Sequence, residues 1–234
     1  SQPTMTYKFE DGQLTEKQGP PVAFSGLPEP MCGAPRNDPA FVGMTTYAGG
    51  QLVLDDGTHV VTTMYAACVP GQPRNGGIHL FSSPKGDGYN FTFRSHIARQ
   101  SDNKVFAAPA EGPNEHTLTL LPNGDILCIF RTEAGDGNGR CTSPYLPASL
   151  VVARTLPNLG NSVDVCNVQD GPYYSTRSSD RGKSWSAANP LKDQSGNYIG
   201  CARPHMVQLG NVTLLAGGRM MMGTEQRFAW GPCW

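Results

Sequence analysis

One pattern recurs three times along the chain: an apolar run of strand length, a turn containing Gly or Asn, and a second apolar run. It is carried by TYAGGQLVLDDGTHVVTTMYA (46–66), NEHTLTLLPNGDILCIFRT (114–132) and ARPHMVQLGNVTLLAGGRM (202–220). Runs rich in Leu, Val, Ile and Thr and bounded by turn residues read as β-hairpins. Shorter strand candidates follow the first two, GGIHLFSS (76–83) with YNFTFRS (89–95), and GPYYSTRSS (171–179) with KSWS (183–186). The unit is therefore a four-stranded antiparallel sheet, repeated. No long apolar pattern of helical period interrupts it, so little helix is expected. Recurrent four-stranded sheets predict an all-β fold of the β-propeller type. A β-sandwich accounts for the alternation but not for the return of the same hairpin grammar.

The 234 residues suffice for one large domain or two small ones, and 28 Gly with 20 Pro fit a turn-rich β protein. A net charge of −1 gives no electrostatic reason to bind nucleic acid or an anionic membrane. No apolar run approaches the roughly 18–20 residues that span a bilayer. Seven cysteines without a CxxC spacing argue against a zinc site. Cys128 sits inside an apolar run and reads as a buried thiol, whereas Cys141 and Cys166 flank a long connection and are candidates to pair. Two sequons, Asn90-Phe91-Thr92 and Asn211-Val212-Thr213, tilt the reading toward a secreted protein.

The stretch SSDRGKSW (178–185) forms a turn by its own chemistry. An Asp carboxylate accepts from nearby backbone N–H groups, Gly takes positive φ, and the aromatic can fold back over both. It resembles the Asp-box, S-x-D-x-G-x-T-W, of the sialidase (neuraminidase) superfamily, with Ser184 in place of Thr. SSPKGDGYNF (82–91) resembles a degraded copy one repeat earlier. The resemblance covers 46–220 and implies a six-bladed propeller in which Ser178, Asp180, Gly182 and Trp185 are scaffold residues at the blade periphery. It is a statement about architecture before it is one about activity.

Chemistry is expected at the strand ends away from the hairpin turns, since the start of one strand and the end of its partner share an end of the sheet. Eight residues either side of Asn123 stand Glu115 and Arg131; eight either side of Asn211 stand Arg203 and Arg219; nine out from Asp56 stand Tyr47 and Tyr65. With these hairpins as inner strands of neighbouring blades, all six face one rim. The Glu-to-Arg spacing resembles the sialidase segment that supplies a catalytic Glu and one arginine of the substrate-clamping triad. That likeness implies Glu115 as base to a Tyr nucleophile and Arg131 as a clamp, and position at the rim makes Arg203, Arg219 and Tyr47 further substrate-binding candidates. A guanidinium fork suits the carboxylate of a sialic acid in a way that Lys cannot match. The plainer reading of Glu115 and Arg131 is a salt bridge across the hairpin mouth. His116, next to Glu115, points to the opposite face by strand alternation and reads as structural.

A full sialidase pattern also needs an acid Asp, a late Tyr and an F/Y-R-I-P segment, which the chain does not show. GAPRNDP (33–39) reads as a loop, so Asp38, like Asp102, qualifies as acid only by loop placement. At roughly 40–50 residues per blade the chain accounts for an arc of about three to four blades. Residues 1–30 read as the tail of a preceding blade, and the whole as one domain, 1–234, belonging to a longer protein. Residues 133–171 form an insertion at the candidate rim; its EAGDGNG start lacks the spacing of a calcium loop, so neither metal nor cofactor is expected. The expected partner is a sialylated glycan or another acidic sugar. Two functions follow, an exo-α-sialidase-type glycosidase or a non-catalytic propeller that binds glycan or protein.

Overall fold

The computed structural model describes residues 2–30, 45–72, 75–103, 112–132, 173–196, 199, 204–222 and 228–232. These residues form thirteen strands and one short 3-10 turn, Gln100–Asp102, in an all-β architecture of several antiparallel sheets. The insertion 133–171, with Cys141 and Cys166, lies outside the described residues, as do Arg36, Asp38 and Arg203.

The first sheet runs β1-β2-β6-β5-β4-β3, with β1 Gln2–Glu10, β2 Gln13–Ser25, β3 Thr45–Val53, β4 His59–Ala67, β5 Asn75–Ser83 and β6 Asn90–Arg99. Strands β3 to β6 are the expected four-stranded antiparallel meander. Residues 1–30 differ from expectation. Instead of forming a separate blade, β1 and β2 make a hairpin whose end joins the outer edge of this sheet, Ala23–Ser25 running parallel to Asn90–Thr92. Apolar burial explains the attachment. Phe24 packs edge-on to Phe81 at 5.1 Å and stacks on Phe91 at 5.7 Å, covering one face of the sheet.

The second sheet contains β7 Pro113–Leu120, β8 Ile126–Thr132, β9 Tyr174–Ser178 and the two-residue β10 Asn189–Pro190. The third contains β11 Pro204–Leu209, β12 Val212–Met222 and β13 Phe228–Pro232. Successive sheets stack through apolar faces. Leu54, Val60, Ile78, Leu80 and Ile97 of the first meet Leu118, Ile126, Cys128, Phe130 and Tyr174 of the second. Ile129 and Tyr173 of the second meet Met206 and Leu215 of the third. The sheet-edge strands β3, β7 and β11 lie side by side with β7 in the middle, and Met206 N–H of β11 donates to Thr117 Oγ1 of β7 at 3.2 Å. A cleft of about 550 Å³ follows these three strands, lined by Gln51, Leu52, Thr117, Thr119, His205 and Met206 among others.

The segment 183–186 is not the strand expected from its sequence, and the turn chemistry gives the reason. The Asp180 carboxylate accepts from Ser178 Oγ at 2.8 Å, from the N–H groups of Lys183 and Ser184 at 2.9 Å each, and from Ser184 Oγ at 2.5 Å. Those bonds, the one to the Ser184 hydroxyl foremost, hold its pKa well below the usual carboxylate range. They also spend the N–H groups that a strand would use. Only Ser186 returns to β9, donating from N–H to Arg177 C=O at 2.8 Å, before Asn189–Pro190 complete the sheet.

The turn also docks on the first sheet. Ser95 Oγ of β6 donates to Gly182 C=O at 2.6 Å and accepts from Trp185 Nε1–H at 3.0 Å. Gly182 has φ +84°, and a Cβ there would overlap Leu80 Cδ2, so both the conformation and the close approach demand glycine. The degraded copy keeps part of this pattern. Ser83 Oγ accepts from Gly88 N–H at 3.0 Å, and Asp87 Oδ1 accepts from the N–H groups of Tyr89 and Asn90 at 3.0 Å each. Replacing Ser95 with Ala leaves a carbonyl and an indole N–H without this partner. At about 1–3 kcal/mol for each buried group so orphaned, Ser95→Ala is expected to lower the urea midpoint with the m-value unchanged. An unshifted midpoint contradicts the bridge.

Candidate functional site

The β7–β8 register centres on Asn123, with Leu120 opposite Ile126 and His116 opposite Phe130. Glu115 and Arg131 therefore face each other at the far end of the hairpin. Arg131 Nε donates to Glu115 Oε2 at 2.6 Å, with side-chain exposures of 10% and 18%. The pair is thus sheltered yet reaches solvent. It stands at the end of β7 away from the turn, and the cleft lining begins two residues further along, at Thr117.

The neighbouring residues fix where Glu115 begins its strand. Asn114 is buried, and its Oδ1 accepts the Glu115 N–H at 2.6 Å. His116 is buried behind them; its Nδ1–H donates to Asn114 C=O at 2.9 Å, and Nε2 meets Thr62 Oγ1 of β4 at 2.5 Å. This joins the two sheets directly beneath the ion pair. His116 is structural, as strand alternation predicts, and its partner Thr62 lies 54 positions away, beyond the reach of any local pattern. The signal available was the Asn-Glu-His triplet at a strand start.

The other expected rim residues do not all assemble. Tyr47 was expected opposite Tyr65, but Thr45 pairs with Met64 and Thr46 with Thr63, and the register shifts between Thr46 and Gln51. Gly50 marks the cause, because a Cβ there would overlap Thr62 Oγ1 and crowd His116 Nε2, so the β3 backbone is drawn in on that network. The Tyr47 side chain lies outside the described residues. Tyr65 is buried and stacks on His79 at 3.8 Å, its hydroxyl without a hydrogen-bond partner among the described residues. Burial, and then the charge of Glu29, push its phenol up to about 12, opposite to what an activated nucleophile requires. In the third sheet Leu209 pairs with Val212 and Pro204 with Gly217, so Arg219 stands two positions past that last pair and lies opposite Gly231. Its side chain, like the whole of Arg203, is outside the described residues. Asp102 caps the 3-10 turn and pairs with Arg99 at 3.2 Å, on the first sheet. Ser178, Asp180, Gly182 and Trp185 form the inter-sheet turn described above. Among the described residues no group of three or more His, Cys, Asp or Glu is placed to hold a metal.

No family model matches the chain, and no curated protein matches it. Among solved structures it is similar to a protein of unknown function from Dyadobacter fermentans DSM 18053, at 16% identity and TM-score 0.43, over 75% of this chain and 35% of that one. It is also similar to an ulvan lyase from a new polysaccharide lyase family, at 10% identity and TM-score 0.33, over 80% of this chain and 33% of that one. The chain spans about a third of the length of each.

The buried imidazoles beside the site carry a pH dependence. Burial pushes His116 down to about 4 against weaker upward pulls from the Asn114 bond and Glu115. Burial and then His96 push His79 down to about 3. His79 Nδ1 lies 2.8 Å from His96 Nδ1, and its Nε2 lies 3.3 Å from Tyr65 C=O, an arrangement that suits neutral rings. The folded values lie below the unfolded one near 6.5, so the unfolded chain binds protons first as pH falls. Stability is then full above about pH 6.5 and drains toward pH 4 at up to ~1.4 kcal/mol per pH unit per histidine. Denaturant titrations across this range should show that slope, and His79→Phe should reduce it, leaving the His116 share. A pH-independent midpoint contradicts the assignment.

Proposed function

We propose that the three stacked sheets are consecutive blades of a sialidase-like β-propeller, and that the chain contributes to a glycoside hydrolase of the exo-α-sialidase type acting on terminal sialic acid or a related acidic sugar. The observation that carries this reading is the Glu115–Arg131 pair, 2.6 Å apart at the end of the β7–β8 hairpin, with Glu115 the more exposed of the two. Side-by-side edge strands β3, β7 and β11 support the radial arrangement. The Asp180 turn supports it as well, since it sits at the far edge of the second sheet from β7, away from the pair.

In this mechanism Arg131 receives the sugar carboxylate, and Glu115, held against the guanidinium until substrate enters, acts as base toward a phenolic nucleophile. A Tyr serves where a carboxylate would meet an anionic substrate, so the developing oxocarbenium ion is attacked by an oxygen that becomes neutral on bonding. The Asn114 and His116 bonds hold the Glu115 backbone and so hold the carboxylate's origin. The chain's own Tyr65 is not a fitting nucleophile, because its hydroxyl is buried and its pKa raised. The nucleophile, the acid and the remaining arginines are therefore sought among residues other than those described.

Glu115→Gln keeps the side-chain shape and removes the base. In the whole protein it is expected to lower kcat on a fluorogenic sialoside by about 10²–10⁴-fold with the melting temperature little changed. Turnover at the wild-type rate would overturn the catalytic reading. The second reading, a propeller that binds glycan without cleaving it, rests on the same pair. It is favoured if sialyl-oligosaccharides bind, Arg131→Ala abolishes binding, and no sugar is released.

A further inference from the structure

Two features found in the sequence remain unused by that site, the sequons at Asn90 and Asn211, and the structure treats them differently. Asn90 is built into the degraded Asp-box turn. Its Nδ2 donates to both oxygens of Asp87, at 3.2 and 3.1 Å, and its N–H donates to Asp87 as well. The next residue, Phe91, is buried under Phe24. A glycan on Asn90 would replace an amide hydrogen that this turn uses and would stand beside the seam between β2 and β6.

Asn211 is exposed like Asn90 but lacks those bonds. Leu209 pairs with Val212, which leaves Gly210 and Asn211 as a two-residue hairpin loop. Gly210 has φ +58° and Asn211 is not among the residues of positive φ, the pattern of a type II′ turn with glycine in the first central position. Asn211 is exposed at the apex, and its side chain bonds to none of the described residues. Gln208 Oε1 accepts from Thr213 Oγ1 at 2.6 Å, and Gln208 Nε2 donates to Gly210 C=O at 2.7 Å, so the turn is closed without using Asn211. A second, independent observation points to the compartment where such asparagines are modified. Cys68 is disulfide-bonded, while Cys128 is free and buried. Disulfides persist in oxidising compartments, and asparagine-linked glycans are added there.

We propose that Asn211 is an N-glycosylation site of this protein and that Asn90 is not. In the transfer, Asn211 Nδ2 attacks the anomeric carbon of a lipid-pyrophosphate-linked oligosaccharide. The bond from that carbon to the pyrophosphate oxygen breaks, the lipid pyrophosphate leaves with the electron pair, and one Nδ2 proton passes to the transferase's base. Thr213 completes the acceptor triplet. The sugar then projects from the hairpin apex, next to the exposed residues Leu209 and Val212 and at the end of β11 opposite to its start at Pro204.

The test is peptide mass mapping of the full chain secreted from a eukaryotic host, after enzymatic release of N-glycans in heavy-oxygen water. The expected result is the deamidation label on Asn211 and none on Asn90. Asn211→Gln and Thr213→Ala should each abolish the glycan-dependent mobility shift, and Thr213→Ser should keep it. Two independent variants guard against misfolding of either one. An unlabelled Asn211 in secreted protein, or a label on Asn90, alone or with Asn211, overturns the proposal.

Discussion

The hydroxyl of Ser95 holds the first two sheets in register. It gives its hydrogen to the Gly182 carbonyl and takes one from the Trp185 indole, so a strand of one sheet grips both ends of the turn that closes the next. The Asp180 carboxylate has already shaped that turn by taking four hydrogen bonds. Apolar stacking around Leu80 and Ile126 supplies most of the energy, but it has no direction of its own. The directional bonds decide which residue of β6 meets which residue of the turn. An exposed ion pair, Arg181 with Asp56 at 2.6 Å, lies over the same seam, and such pairs add little.

A second contact fixes the other end of the same interface. His116 of β7 reaches Thr62 of β4, whose Oγ1 also lies 3.2 Å from Gly50 C=O of β3. The network ties the strand that begins with Asn114 and Glu115 to the neighbouring sheet. The ion pair of Glu115 and Arg131 thus stands on a buried, hydrogen-bonded footing, the support that a preorganised carboxylate needs. The acid sensitivity expected of the fold and the placement of the candidate base share one origin, a neutral imidazole kept dry between two sheets.

Much of the architecture is legible in the sequence because hairpins are local. The β7–β8 pairing follows from the apolar runs either side of Asn123, and with it the meeting of Glu115 and Arg131 across the hairpin. The Asp180 turn is legible for the same reason, since its bonds span at most four residues. Failures come where distant residues intervene. Trp185 leaves its own sheet for Ser95, 90 positions earlier, an inter-sheet bond that no local pattern announces. Gly50 is pulled onto Thr62 and His116, which shifts Tyr47 out of register with Tyr65. Residues 1–30 attach to the first sheet because Phe24 finds Phe81 and Phe91, a match that no local pattern announces.

The central functional claim is that Arg131 receives a carboxylate beside Glu115. Calorimetric titration of the protein with a sialic acid glycoside and with its methyl ester tests it most directly, since the two ligands differ only in that charge. A charge-assisted contact is worth about 1.5–3 kcal/mol, so the free acid should bind roughly ten- to a hundred-fold more tightly, and Arg131→Ala should erase the difference. Equal affinity for acid and ester in the wild-type protein would contradict the account.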